Sequence, residues 1–248
     1  MLSYFRGEVY RLLHKRSMYL YFGILAVGYC LLSFARSDTF TAGSILSDAE
    51  NLYSYLPALA GGFLFAAVFT DDLQSKNLAT LVGFGMNKAM IVVSKFILML
   101  LLSVIVYAGV MLLTWAIHAA FGWPPSADTM GLVGLFALRN LLTTVAFAAV
   151  AGILVYGLQR STFAIVCYLI LVLGIVDGLL VQAFMLDFFT AIAPDLGNHL
   201  LERIANRILG GLLESGTVPL LAAIEYVIYL IVSIALSVLV FTRRELEF

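Results

Sequence analysis

Six long apolar stretches alternate with shorter polar segments along the chain. A helix needs about 20 apolar residues to cross a bilayer core, and the apolarity here is continuous rather than alternating, which favours helices over barrel strands. The pattern therefore predicts an all-α integral membrane protein with six transmembrane helices in one domain over residues 1–248. The predicted spans are Met18–Phe34, Leu52–Thr70, Ala89–Phe121, Gly131–Tyr156, Ser161–Leu186 and Val218–Phe241, with Arg36–Asn51 as a polar loop.

Two segments outside the spans are amphipathic. Residues 1–17 carry basic side chains between apolar residues at helical spacing, which predicts a helix in the inner membrane interface; a short basic anchor without fixed structure is the alternative. The second segment, "HLLERIANRILGGLLES" (His199–Ser215), lies within the predicted outer segment 187–217. Its pattern predicts a helix that either lies on the outer surface or is partly re-entrant.

Composition agrees with a membrane protein. The chain has 248 residues, of which 62% are hydrophobic and 12% are charged, whereas soluble domains carry about 25% charged residues. The cysteines Cys30 and Cys167 both fall in predicted spans, so they predict no disulfide framework. About seventeen residues precede the first apolar run, which is long for a signal peptide, and we expect the run to be retained as a span.

The distribution of basic residues predicts the orientation. Six spans place both termini on one side, and ten of the 14 Lys and Arg residues then lie on that side. By the positive-inside rule both termini are predicted to be cytoplasmic, in a multi-pass protein of the cell membrane. The four remaining basic residues, on the outer side, are Arg36, Arg139, Arg203 and Arg207.

The motifs of several functional classes are absent from the sequence. There is no Gly-x-Ser-x-Gly, no His-Glu-x-x-His and no Gly-x4-Gly-Lys-Ser/Thr phosphate loop, and His14, His118 and His199 lie in three different segments. Metal-ligand spacing and basic aromatic patches are also absent. We therefore expect no catalytic residues, no metal site, no ATP site and no nucleic-acid binding in this chain, which leaves transport, scaffolding or sensing.

The segment between the second and third spans, "FTDDLQSKNLATLVGFGMNKAMIVVSK" (Phe69–Lys95), is unusually rich in charges, amides and glycines for such a chain. Its apolar residues have helix-like spacing, acidic residues stand at its start, and glycines end the pattern, which predicts a short cytoplasmic helix within residues 70–88. Such a helix fits a groove of another protein, or it lies along the lipid headgroups; the residues alone favour neither. The candidate contact residues are Asp71, Asp72, Lys76, Asn77, Leu78, Leu81, Gly85 and Lys88.

This segment resembles the inner loop of permeases of the type-2 ATP-binding-cassette exporter family. The resemblance is carried by an aromatic residue followed by an acid, an apolar helix, a glycine with a nearby basic residue, and a lysine that opens the next span. The chain departs from the family pattern at Lys76-Asn77 and at Met86-Asn87-Lys88. The basic tail "FTRREL" (Phe241–Leu246) and the entry segment "YFRGEVYRLLHKRSMY" are also similar to that family. The matching positions in the loop are Phe69, Asp72, Leu78–Val82, Gly85, Lys88 and Lys95.

The resemblance implies a complex of two six-span permeases, identical or paralogous, with two cytoplasmic ATPase subunits that bind ATP and Mg²⁺. The loop would be the coupling helix that docks in the ATPase. Outer helices between the fifth and sixth spans also occur in the family. The most similar relatives export, or confer immunity to, amphipathic peptides such as lantibiotics and phenol-soluble modulins, which implies an amphipathic peptide cargo.

Ionisable residues within the spans are a second candidate site. Asp177, Glu225 and Arg139 fall in apolar stretches, where a charge costs a few kcal/mol unless it faces protein, water or a partner. Three interpretations remain open: Asp177 or Glu225 lines a substrate path, Asp177 forms a buried ion pair with Arg139, or these residues are exposed near the membrane interface. Asp177 lies in "GIVDG", whose Gly174 and Gly178 would permit close helix approach.

The sequence and the resemblance together predict the membrane subunit of an ATP-driven exporter for amphipathic or hydrophobic peptides. The alternative is a membrane scaffold, sensor or immunity protein that binds a peptide without an ATPase. A secondary transporter is disfavoured because no inverted repeat is visible.

Overall fold

The structure, a computed structural model, describes residues 2–35, 44–74, 77–122, 124–186, 188 and 195–244. All regular elements in this part of the chain are helical. Five helices are long and apolar enough to cross a membrane, or six if one bent pair counts as a single span. These helices indicate a multi-pass, all-α membrane protein, as the hydropathy pattern predicts.

Eleven helices make up the described fold, with a single 3-10 turn, Leu196–His199, before the tenth. One end of the bundle, which we call the α1 end, carries α1, the loop between α3 and α6, and the end of the last helix. The opposite end, called the α10 end, carries the amphipathic helix α10. The helices are α1 (Leu2–Leu13), α2 (Arg16–Ala35), α3 (the apolar span Ile45–Thr70), α4 (Asp71–Gln74), α5 (Asn77–Gly83), α6 (Lys88–Ala120), α7 (Ala127–Leu158), α8 (Ser161–Val172), α9 (Ile175–Phe184), α10 (Leu201–Ser215) and α11 (Leu220–Arg243).

The second span begins earlier than the sequence predicts. Residues 44–51, predicted as part of a loop, are helical. The physical reason is a stripe of buried residues at helical spacing that packs against α7. The residues between the members of this stripe are mostly polar. The hydropathy of the segment is low because of those polar residues, so the segment reads as a loop. The stripe consists of Ile45, Ala49, Tyr53 and Leu56.

Two π-helical turns, Pro57–Gly61 and Ala66–Thr70, interrupt α3. Within the first turn, the Pro57 carbonyl accepts a hydrogen bond from the buried Tyr168 hydroxyl of α8 at 2.8 Å. A Cβ atom at Gly61 would lie 2.3 Å from that hydroxyl oxygen. The glycine is therefore required for the close approach of α3 and α8.

The fifth predicted span is broken rather than continuous. Its two halves, α8 and α9, meet at an angle of 57°. Gly174 adopts a φ of +71° at the start of α9, a conformation that glycine adopts without strain. A Cβ at Gly178 would meet nothing within 4 Å, so "GIVDG" marks the bend and not a close helix contact within this chain.

Helix α7 is the centre of the bundle and packs against α3, α6, α8, α10 and α11. Small residues in "VAFAAVAG" let these neighbours approach, and a Cβ at Gly152 would lie 2.7 Å from the Phe96 ring of α6. Helix α2 is peripheral by contrast, and most of its side chains are exposed. Its main contact with α3 is the Tyr21 ring, which stacks on Phe63 with ring centroids 4.1 Å apart.

Candidate functional site

The loop between α3 and α6 forms a short helix whose apolar side faces the bundle. Leu78 of α5 is buried, and Leu81 and Val82 pack against the main core. Leu73 of α4 packs there as well. The chain then turns at Gly85, whose φ is +81°. The loop is therefore part of the packed core and not an appendage to it.

The loop presents a small surface away from the bundle, which we call the loop surface: Thr80, Gly83, Phe84 and Gly85. The Phe84 side chain is 83% exposed, more than any other large hydrophobic residue in the described part of the chain. Its ring is free to contact a partner protein, which makes Phe84 a candidate anchor residue. Sequence reasoning missed Phe84, although an aromatic residue between two glycines in a polar loop is a visible signal.

An ion network joins the loop to α1 and α6. We call it the α1 network; it consists of Glu8, Arg11, Lys15, Asp71 and Lys95. The Lys95 ammonium donates to Glu8 Oε2 at 2.6 Å, and Arg11 Nη2 lies 2.9 Å from the same oxygen. Asp71 Oδ2 accepts from Lys15 and lies 3.5 Å from Arg11 Nη1. Three separate segments are thus held together by shared carboxylates.

The pair between Glu8 and Lys95 is the most buried part of this network. Lys95 is 1% exposed and Glu8 is 8% exposed. Helix α1 reaches them because Leu12 is fully buried and Phe5 and Val9 pack against the core. Sequence reasoning missed Glu8, whose signal is its position inside the apolar stripe of α1, one helical turn from both Phe5 and Leu12.

Several residues predicted to bind a partner have contacts inside the chain. Asp71 faces α1 through Arg11 and Lys15. The Lys88 ammonium donates to the Arg244 carbonyl at 2.9 Å and lies 5.3 Å from the centroid of the Phe241 ring, at the C-terminal end of α11.

The remaining residues of the predicted contact set differ in their exposure. Leu78 and Leu81 face the core, whereas Gly85 is exposed on the loop surface. Residue Lys76 and the side chains of Asp72 and Asn77 lie outside the described residues. The binding of a partner by the eight predicted contact residues stays a prediction.

A second ion network holds α10 against α7 and α11. Arg139 of α7 donates to Asn206, and its Nη2 lies 3.3 Å from Glu202 Oε1. Glu225 of α11 pairs with Arg207, and His199 Nδ1 lies 3.2 Å from Glu225 Oε1.

These contacts replace the pair that the sequence suggested. Arg139 binds α10, because α10 packs directly on α7, whereas Asp177 lies beyond the bend in α9 and is half-buried. The contacts of Arg139 and Glu225 fit a structural role at the α10 end. A role for Asp177 in a substrate path stays a prediction.

No protein-family model matches the chain, and no curated protein matches it. Among the described residues, no group of three or more His, Cys, Asp or Glu side chains is placed to hold a metal ion.

Proposed function

We propose that this chain is the membrane subunit of an ATP-driven exporter of the type-2 ATP-binding-cassette class. ATP and Mg²⁺ are bound by a separate cytoplasmic ATPase subunit, and the permease works with a second copy or a close paralogue. The α1 end faces the cytoplasm, in agreement with the excess of basic residues there. The cargo is an amphipathic or hydrophobic peptide.

The observation that carries this proposal is the loop surface on a firmly attached loop. A partner that exerts force on a membrane domain needs a contact that is exposed yet rigidly connected to the spanning helices. Phe84 is exposed, while Leu78 and Leu81 fix α5 to the core and Asp71 ties the start of the loop to α1. The resemblance of the loop sequence to coupling helices supports the same interpretation.

Movement of the loop would reach the spanning helices through one chain of ion pairs. Asp71 transmits displacement to α1 through Arg11 and Lys15, and Glu8 transmits it from α1 to Lys95 of α6. ATP binding in the partner would thus reorient α6 and the helices packed on it. We expect a path for the cargo to open between the two permeases.

The test is purification of the tagged chain from its own host membranes, with identification and ATPase assay of the proteins that accompany it. We expect an ATPase subunit with the wild-type chain and its loss with Phe84→Asp. The matched control is Phe34→Asp, because Phe34 is 67% exposed but lies at the α10 end. This control should keep the ATPase.

Two results would reject the proposal. One is purification of a folded chain without any ATPase, and the other is equal ATPase retention in Phe84→Asp and the wild type. A chain that is purified alone and still binds an amphipathic peptide would support the scaffold or immunity function instead.

A further inference from the structure

A long apolar groove lies between α2, α3 and α6. Its volume is about 510 Å³. The groove runs along α2 from Met18 to Tyr29, eleven helical steps that span about 16 Å at 1.5 Å per residue. This length is about half of a bilayer core of about 30 Å, or one leaflet. Its walls include Phe22, Gly23, Ala26, Leu59, Ile105 and Gly109.

The chemistry of the walls selects a hydrocarbon occupant. The lining contains two hydroxyl groups, both of tyrosines, and each already donates within the protein: Tyr19 to the Leu13 carbonyl at 2.5 Å, and Tyr29 to Thr114 Oγ1 at 3.3 Å. The other lining residues have apolar side chains or are glycines. A water molecule needs two to four polar partners, and these walls do not supply them.

The side of the groove that faces away from the bundle favours an acyl chain as its occupant. The groove opens sideways past the exposed residues Ile105 and Leu59, so a chain can enter from the bilayer.

Charge at the α1 end of the groove selects the headgroup. Arg16 lies in the sequence between the lining residues Leu13 and Met18, and its side chain is exposed. An exposed arginine at the first residue of a spanning helix attracts the phosphate of an anionic lipid in the adjacent leaflet. Lys15 beside it already pairs with Asp71, so Arg16 is the residue that we assign to the headgroup.

We propose that this groove binds one anionic phospholipid, with an acyl chain between α2, α3 and α6 and its phosphate at Arg16. The phosphate at Arg16 would lie in the inner leaflet, because the α1 end faces the cytoplasm in the orientation given under Proposed function, and only this point rests on that proposal. The groove and its test do not depend on an ATPase. The bound chain would fill the space that α2 leaves open towards the bundle and would hold this peripheral helix in place.

The test uses two glycines of α2 as a matched pair. Gly23 lines the groove and Gly28 does not, and a Cβ at either position would meet nothing within 4 Å. Gly23→Leu therefore fills the groove without a backbone clash, while Gly28→Leu adds the same side chain elsewhere on the same helix. The protein, with any accompanying subunits, is reconstituted in nanodiscs of equal phosphatidylglycerol and phosphatidylcholine. Native mass spectrometry after detergent delipidation then counts the phospholipids retained.

We expect one phospholipid to be retained per wild-type chain, with phosphatidylglycerol preferred about fivefold, the factor that corresponds to one basic residue near the surface. Gly23→Leu should lose the lipid and Gly28→Leu should keep it. Arg16→Gln should keep a phospholipid but lose the preference for phosphatidylglycerol. Thermal unfolding of all three variants checks that each is folded.

The proposal is wrong if the wild type retains no phospholipid, or if Gly23→Leu and Gly28→Leu retain equal amounts. The headgroup assignment is wrong if Arg16→Gln keeps the full preference. Absence of an ATPase from the wild-type purification would leave these outcomes unchanged, so failure of either proposal can be recognised separately.

Discussion

Removal of Glu8 tests whether the α1 network holds the α1 end together. The change is Glu8→Gln, which keeps the size of the side chain and removes the charge 2.6 Å from the Lys95 ammonium. Loss of one partner from a buried ion pair costs about 3–5 kcal/mol, because the other charge stays in a poorly solvated site. Arg11, which also contacts Glu8, is about one third exposed and adds little. We therefore expect the free energy of unfolding to fall by about 3 kcal/mol.

A double-mutant cycle separates the ion pair from other effects of the substitution. Lys95→Met replaces the buried ammonium with an apolar chain of similar length, and replacement of both members of a buried pair is often nearly neutral. Glu8→Gln with Lys95→Met should thus be more stable than Glu8→Gln alone, with a coupling energy of about 2 kcal/mol. The control Glu50→Gln removes an exposed carboxylate at the α10 end and should change stability by less than about 0.5 kcal/mol.

The assay is reversible unfolding in mixed micelles with increasing denaturing detergent, followed by circular dichroism. The reasoning is refuted if Glu8→Gln is no less stable than Glu50→Gln. It is also refuted if the effects of Glu8→Gln and Lys95→Met simply add, because independent effects would mean that the two side chains do not stabilise one another.

Three further predictions concern local contacts. Gly61→Ala should destabilise the fold by about 1–3 kcal/mol in the same assay, because its Cβ would lie 2.3 Å from the Tyr168 hydroxyl. Addition of Tyr168→Phe should restore part of the lost stability. An unchanged stability of Gly61→Ala would contradict the close approach of α3 and α8. Lys88→Met should speed amide hydrogen exchange in the last turn of α11, since the lysine caps the Arg244 carbonyl, whereas exchange in α10 should stay the same. Arg207→Gln should lower the free energy of detaching α10 from the bundle by about 1–2 kcal/mol, between the values for exposed and buried ion pairs. The rate of proteolysis at the α10 end measures this change. The control is Arg203→Gln, because Arg203 is exposed.

Continuous apolarity was enough to predict the helical class and the approximate spans, because each spanning helix must satisfy its own backbone hydrogen bonds in lipid. The early start of α3 was not predictable from mean hydropathy, since Ile45 and Ala49 alternate with polar residues that face away from the core. The bend after α8 depends on the backbone conformation of one residue, Gly174, which the surrounding apolar run hides.

The candidate site was predictable in its location and less so in its contacts. The unusual polarity of the loop identified the segment, and its apolar spacing identified the short helix. The inward role of Asp71 was not visible, because its partners Arg11 and Lys15 lie 60 and 56 residues away and only the tertiary fold brings them together. Glu8 and Phe84 each had a local signal: a carboxylate within an apolar stripe, and an aromatic residue between two glycines.

Helix α6 is long enough to connect the α1 network with distant parts of the bundle. Helix α6 has 33 residues, which corresponds to about 50 Å, and a bilayer core is about 30 Å thick. Its described contacts include Lys88 with the end of α11, Lys95 with α1 and Tyr107 with α7, and they extend to Thr114, which accepts a hydrogen bond from Tyr29 of α2. Because a packed helix moves as a rigid element and not by gradual deformation, a force on the loop surface would displace α6 along its whole length. If the proposed ATPase subunit binds at the loop surface, loss of Glu8 in an otherwise folded protein should weaken the coupling of ATP hydrolysis to export, whereas co-purification of the ATPase should remain.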